Sequence, residues 1–298
     1  MRGVVVALGN FDGVHLGHQR VLGRAVEVGK EQADKVIAAT FNPHPRAVLR
    51  PGTEPKLLTT LELRKEALIR YGADDVYVIR FDKELSNKSP EKFVVDVLVG
   101  DLGAATVVVG ENFRFGHKAS GNVEDLRRIM EGHGGLVYAV PIREANGEEE
   151  VNSTRIRELI SMGEVSHAAK LLGRPYLLRG AVVVGDMRGR TIGFPTANVA
   201  SDPAALIPAS GVYAGTVWVG DKEYAACTNV GVAPTFERGE SRVEAYLLDF
   251  EGDLYRKTVD VSFTDRIRGE RKFSGIEELK QRITRDVEEA RRIAGDKV

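Results

Sequence analysis

The 298-residue chain has a single cysteine, Cys227. This excludes an internal disulfide, argues against a cysteine-built zinc site, and fits a reducing compartment such as the cytoplasm. No apolar run reaches the roughly 18–20 residues that span a bilayer. The opening run Val4-Val5-Val6-Ala7-Leu8 breaks at Gly9-Asn10, before a signal-peptide core could form. A cytoplasmic location is therefore expected, with no membrane partner. Charge of one sign is also lacking. Lys and Arg number 42 against 43 Asp and Glu, so bulk attachment to nucleic acid is not expected. The signatures G-x-x-x-x-G-K-[ST] and G-x-G-x-x-G are absent, which disfavours a P-loop kinase and a standard dinucleotide-binding domain.

Glycine is plentiful, at 32 residues, so many loops take unusual backbone angles or approach a ligand closely. The chain falls into two rhythms. In the first half, Val4–Leu8, Lys35–Phe41, Asp75–Phe81, Thr106–Val109 and Leu136–Ile142 are Val/Ile/Leu-rich runs separated by helical patterns. That pattern predicts an α/β fold with a doubly wound parallel sheet buried on both faces. From Leu177 onward, short runs separated by Gly, Pro and Asp predict a small antiparallel β-barrel. A terminal helix from Gly275 to about Ile293 follows, with Ser274 and Glu277 spaced as a capping box. The expected domains are residues 1–173 and 174–298.

Ligands of open α/β sheets bind beyond the carboxyl ends of strands. There the first strand runs into Gly9-Asn10-Phe11-Asp12-Gly13-Val14-His15-Leu16-Gly17-His18 and then a helix. Histidines three apart share one side of a first helical turn, beside free N–H groups and the positive dipole end. This arrangement suits an anion such as a reacting phosphoryl group, whereas no third ligand completes a zinc site. Two further segments could close the site. Asn112-Phe113-Arg114-Phe115-Gly116 offers aromatics for a flat ring. Asn152-Ser153-Thr154-Arg155-Ile156-Arg157 offers capping hydroxyls and arginines for a polyphosphate.

In the second half a glycine-punctuated loop ends in Gly193-Phe194-Pro195-Thr196-Ala197-Asn198. Thr196 and Asn198 offer the oxygen ligands that magnesium prefers beside nucleotide phosphates. Glu244 shares a strand face with Tyr246. If Val243 and Ala245 face the core, Glu244 is a solvated outer residue; if its own face lines a cavity, it is a potential base. Spacing alone leaves both open.

Taken in order, the Gly9–His18 motif, Thr40-Phe41-Asn42-Pro43-His44-Pro45, the Asn112–Gly116 loop and Ser153–Arg157 resemble the prokaryotic bifunctional riboflavin kinase/FAD synthetase family. So do Gly193–Asn198, Gly211-Val212-Tyr213-Ala214, the segment around Glu244 and Ile267-Arg268-Gly269-Glu270-Arg271-Lys272-Phe273. The resemblance covers about Val5 to Arg291. It implies an N-terminal nucleotidylyltransferase domain, where FMN phosphate attacks the ATP α-phosphate, and a C-terminal riboflavin kinase. By the same resemblance, His15 and His18, assisted by Asn112, act on the phosphates. Gly9, Asn10, Gly17, Ser153, Thr154 and Arg157 then bind the nucleotide. Phe41, Pro43, His44, Pro45, Phe113 and Phe115 fall in flavin-pocket segments. In the kinase, Glu244 is implied as the base, Thr196 and Asn198 as ligands of Mg2+ and ATP, Gly193 as part of the phosphate loop, and Arg268 as part of the flavin cover. The implied substrates and products are riboflavin, FMN, FAD and ATP; the oligomeric state is not given. Three positions depart from the family pattern: Asn152 for Ser, Tyr246 for His, and Arg256 for Gly, the last implying an altered turn. Alternatives open on sequence alone are a single working module, a flavin-binding regulator, and adenylyl transfer to another acceptor. The basic run Arg266–Lys272, broken by Glu270, reads as a loop face or flavin lid rather than a nucleic-acid site.

Overall fold

Successive side chains of Val4–Leu8 (β1) point to opposite faces, and both faces are buried. Val5 and Ala7 pack with Val21, Leu22 and Ala25, while Val6 and Leu8 pack with Phe93, Leu98 and Leu126. This double burial makes the strand uniformly apolar. The structure is a computed structural model that describes residues 3–141, 151–185, 189, 192–232 and 241–295. It has two compact units: Met1–Pro55 with Leu61–Ser153, and Lys56–Thr60 with Thr154–Val298.

In the first unit β1 is followed by α1 (Leu16–Gln32), β2 (Lys35–Asn42), α2 (Pro45–Leu49), α3 (Leu61–Arg70) and β3 (Asp75–Arg80). Then come α4 (Lys83–Ser86), α5 (Pro90–Phe93), β4 (Ala104–Gly110), α6 (Val123–Gly132) and β5 (Leu136–Val140). All five strands are parallel, in the order β3-β2-β1-β4-β5. The chain thus winds outward in both directions from β1, and the crevice between β1 and β4 is the topological switch point. Ser89 caps α5, its hydroxyl accepting from the Lys92 N–H at 3.2 Å, and the helix widens into a π-helix over Val94–Asp101.

The second unit contains α7 and α8, seen at Ser153–Met162 and Val165–Leu172, and then β6 (Tyr176–Val183), β7 (Ala197–Ser201), β8 (Gly211–Val219) and β9 (Lys222–Val232). β10 (Ser241–Leu247), β11 (Thr258–Phe263), β12 (Asp265–Arg268) and α9 (Ile276–Gly295) complete it. The antiparallel order β11-β6-β7-β10-β9-β8 closes on itself where Val261 pairs with Val217, and β12 pairs with β8. Val243, Ala245 and Leu247 belong to the buried core, while α9 covers Val212, Ala214 and Cys227.

Three expectations change. β7 and β12 are strands where loop was read. The helix α9 begins at Ile276, so Glu278, not Glu277, occupies its third position. Glu278 accepts from the Ser274 N–H at 2.9 Å and hydroxyl at 2.8 Å. Arg256 does not abolish a glycine-type turn, because its own φ is +64°, the left-handed backbone that glycine adopts most easily.

Candidate active sites

A cavity of about 520 Å³ opens at the carboxyl ends of β1 and β4. Gly9, Asn10 and His15 line it from the β1–α1 connection, Gly17 and His18 from the first turn of α1; Phe41 from the end of β2 and Pro45 from the start of α2; Asn112, Phe113 and Phe115 from beyond β4; and Ser153 completes it. His15 is the N-cap of α1, its Nδ1 accepting from the His18 N–H at 3.3 Å. A ring nitrogen that accepts carries no proton, so the neutral ring holds its proton on Nε2. The two imidazoles stack with centroids 3.6 Å apart and planes 18° apart. Phe11 meets the His18 ring edge-on at 5.3 Å. A Cβ on Gly17 would lie 3.2 Å from the His15 ring, so glycine leaves room for that side chain.

The opposite wall is aromatic. Phe81 meets Phe41 at 5.9 Å, Phe41 meets Phe93 at 6.4 Å, Phe93 meets Phe115 at 5.8 Å, and Phe113 stacks on Phe115 at 5.6 Å. An anion-binding helix start facing a wall of phenylalanines is suited to a ligand with phosphate at one end and a flat ring at the other. Phe81 and Phe93 were not singled out from the sequence; the only signal was Phe81 ending its strand run at the carboxyl end. Pro43 and His44 do not line this cavity. His44 caps α2, its Nδ1 accepting from the Arg46 N–H at 3.1 Å. Thr154 and Arg157 belong to the second unit, where Arg157 Nε donates to the Lys56 carbonyl at 2.8 Å.

In the barrel unit a separate cleft of about 950 Å³ is lined by Gly185, Thr196, Asn198, Tyr246, Asp249 and neighbouring residues. A Cβ on Gly185 would run into the Asn198 carboxamide, so glycine just past β6 lets that side chain keep its position. Asn198 on β7 stands directly opposite Glu244 on β10. Val243 and Ala245 are buried in the core, so Glu244 lies on the outer face; its side chain is 26% exposed and accepts from Arg242 Nη1 at 3.2 Å. Glu244 is beside the cleft rather than among its lining residues. Tyr246, two residues on, faces the cleft and meets Phe194 edge-on at 5.6 Å. Gly193, at φ +90°, turns the chain outside the lining.

Arg268 also lies outside the lining. Its guanidinium pairs with Asp286 of α9, at 2.9 Å from Nε and 2.8 Å from Nη2, and sits over the Phe273 ring at 5.6 Å. Asp186, Met187, Arg188, Arg190, Thr191 and residues 233–240 lie outside the described residues. Among the described residues no cluster of three or more His, Cys, Asp or Glu forms a metal cage. The hydroxyl of Thr196 and the carboxamide oxygen of Asn198 are hard donors, and they fit a magnesium ion whose other ligands are water and nucleotide phosphate.

Comparison with known proteins separates the chain in the same sense. Residues 1–155 match the FAD synthetase family model and residues 172–294 the riboflavin kinase model. The bifunctional riboflavin kinase/FMN adenylyltransferase of Bacillus subtilis is 38% identical over 96% of this chain and 91% of its own length. The protein of that description from Escherichia coli K12 is 35% identical over 98% and 93%. A crystal structure described as a macrolide-efflux protein from Streptococcus pneumoniae superposes with a TM-score of 0.88 at 34% identity, covering 97% of this chain and 94% of that one. Among the described residues here, no helix is long and apolar enough to cross a membrane. With both family models and full-length relatives in agreement, the chain belongs to the bifunctional riboflavin kinase/FMN adenylyltransferase family.

Proposed function

We propose that the chain's two activities, riboflavin phosphorylation and FMN adenylylation, are divided between the two clefts. FAD forms in the β1/β4 cavity, and FMN forms beside Thr196, Asn198 and Glu244. The observation that carries this reading is the stacked His15/His18 pair at the start of α1, facing the phenylalanine wall. An oxygen of the FMN phosphate attacks the α-phosphorus of ATP, and pyrophosphate leaves. The Nε2–H of His15, a ring N–H of His18 and the first-turn N–H groups of Leu16 and Gly17 in α1 supply donors where negative charge develops. Asn112 adds a carboxamide at the same rim, with Gly9, Asn10, Gly17 and Ser153 shaping the nucleotide side. Phe41, Pro45, Phe113 and Phe115 hold the flavin ring.

In the kinase step the Glu244 carboxylate takes the proton of the riboflavin 5′-hydroxyl as that oxygen attacks the ATP γ-phosphorus and ADP leaves. Thr196 and Asn198 would hold Mg2+ with the ATP phosphates; bound there, the ion would neutralise phosphate charge. Arg268 fastens the flavin-side segment to α9 through Asp286. The reaction runs in the cytoplasm, where ATP and free flavin are available. Separate assays of the two steps test the division. His15→Ala/His18→Ala is expected to accumulate FMN from riboflavin without making FAD. Glu244→Gln is expected to make FAD only when FMN is supplied. Loss of both steps in either variant contradicts it.

A further inference from the structure

The backbone ahead of His15 is held away from its relaxed conformations. Phe11 and Val14 have φ of 49° and 41°, a region that non-glycine residues avoid and β-branched residues avoid most. Such conformations persist where the surroundings over-determine them. Four hydrogen bonds do part of that work. The Thr40 hydroxyl donates to the Asn10 carbonyl at 2.8 Å, the Val14 N–H to the Phe11 carbonyl at 3.0 Å, Gln19 Nε2 to the Val14 carbonyl at 2.8 Å, and the Ser153 hydroxyl to the Asp12 carbonyl at 3.0 Å.

The fifth tie is ionic and comes from α3. Asp12 is 1% exposed and Arg64 3% exposed. Arg64 Nη2 lies 3.5 Å from Asp12 Oδ1, while its Nη1 lies 3.3 Å from the Phe41 carbonyl and 3.4 Å from the Thr40 hydroxyl. One buried guanidinium therefore reaches the loop that carries the histidines and the end of β2 that carries Phe41. Arg64 does not itself line the cavity.

We infer that Arg64, through Asp12, is a positioning residue for FMN adenylylation: its fork sets the phosphate-side loop against the flavin-side strand. This rests on the placement of FAD formation at His15 and His18. A buried ion pair is a poor source of net stability, because desolvation offsets its attraction, and an apolar pair of similar volume often does as well. A planar fork with two separate acceptors is by contrast a good spacer.

The test uses the chain carrying Arg64→Met, Asp12→Leu, or both, with thermal unfolding and the two activities measured on each. Arg64→Met is expected to lower kcat for FAD formation about 100-fold, as an ångström-scale misplacement does, while riboflavin phosphorylation is unchanged. Arg64→Met also strands a buried carboxylate, so it lowers the melting temperature. Removing both charges in the double variant restores that temperature. The positioning role predicts that kcat stays low in the double variant although its stability has returned. A kcat that recovers with the melting temperature, or a wild-type kcat in Arg64→Met, overturns it. His15→Ala/His18→Ala is assayed in parallel. If it loses FAD formation while the double variant recovers, the positioning role falls and the site reading stands. If it still makes FAD, both fall.

Discussion

His15 has two jobs in this structure, and they can be pulled apart. Its Nδ1 caps α1 by accepting from the His18 N–H at 3.3 Å, and the imidazole lines the cavity where a phosphate would react. Losing a side-chain N-cap costs about 0.5–2 kcal/mol, and a bond this long belongs at the low end. For a unit of this size each kcal/mol shifts the melting temperature by roughly 2–4 °C. Losing a donor aimed at developing charge costs about 100–1000-fold in kcat. His15→Ala is therefore expected to lose about 1–2 °C and at least about 100-fold in FAD formation. His15→Asn keeps a capping oxygen and removes the imidazole, so it is expected to recover the melting temperature and not the rate. His18→Ala, which removes no cap acceptor, is expected to lose rate with little change in stability. The assay pairs differential scanning calorimetry with chromatographic measurement of FAD from FMN and magnesium-ATP. Wild-type FAD formation by His15→Asn would show that His15 serves only the helix, and the phosphate role would fall.

Glu244→Gln keeps the shape of the side chain without its basicity and is expected to lower riboflavin phosphorylation about 100–10,000-fold; a wild-type initial rate would remove the base assignment. Asn198→Ala is expected to weaken the magnesium dependence of the kinase step at least about tenfold and leave FAD formation from FMN unchanged; an unmoved magnesium titration would speak against it. Burial, with Asp286 nearby, pushes the Cys227 thiol up to about 12, against about 8.5 for an unfolded thiol. Between those values the unfolded chain releases a proton that the folded chain keeps. The corresponding stability is intact below about pH 8.5 and lost as pH rises toward 12. Cys227 should accordingly resist an aromatic disulfide reagent in the native protein and react once urea unfolds it; rapid native labelling would contradict the buried placement.

The central strands β1 and β4 were legible because each is buried on both faces, which leaves an unbroken apolar run such as Val4–Leu8, while the edge strands β3 and β5 are less covered and show only shorter Val-, Tyr- and Ile-bearing runs. β7 was not, because Ala197 and Val199 alone carry its buried side, and Asn198 and Ser201 read as loop. β12 carries three charges in Asp265–Arg268 and is recognised only through its pairing with β8. The histidine site was legible for a local reason: strand, glycine turn and two imidazoles lie within fifteen residues of chain. Phe81, Phe93 and Arg64 carry no such signal, since their elements meet only in the folded sheet. Glu244 shows the limit differently. Strand periodicity fixed its face relative to Val243, and only the closed barrel decided which face is outside.

The most direct test of the two-cleft account is a time course with the wild-type chain, riboflavin and magnesium-ATP, separating riboflavin, FMN and FAD chromatographically. The account predicts that FMN rises first and then gives way to FAD. If no FMN forms from riboflavin and no FAD forms when FMN is supplied, the account is contradicted at its centre.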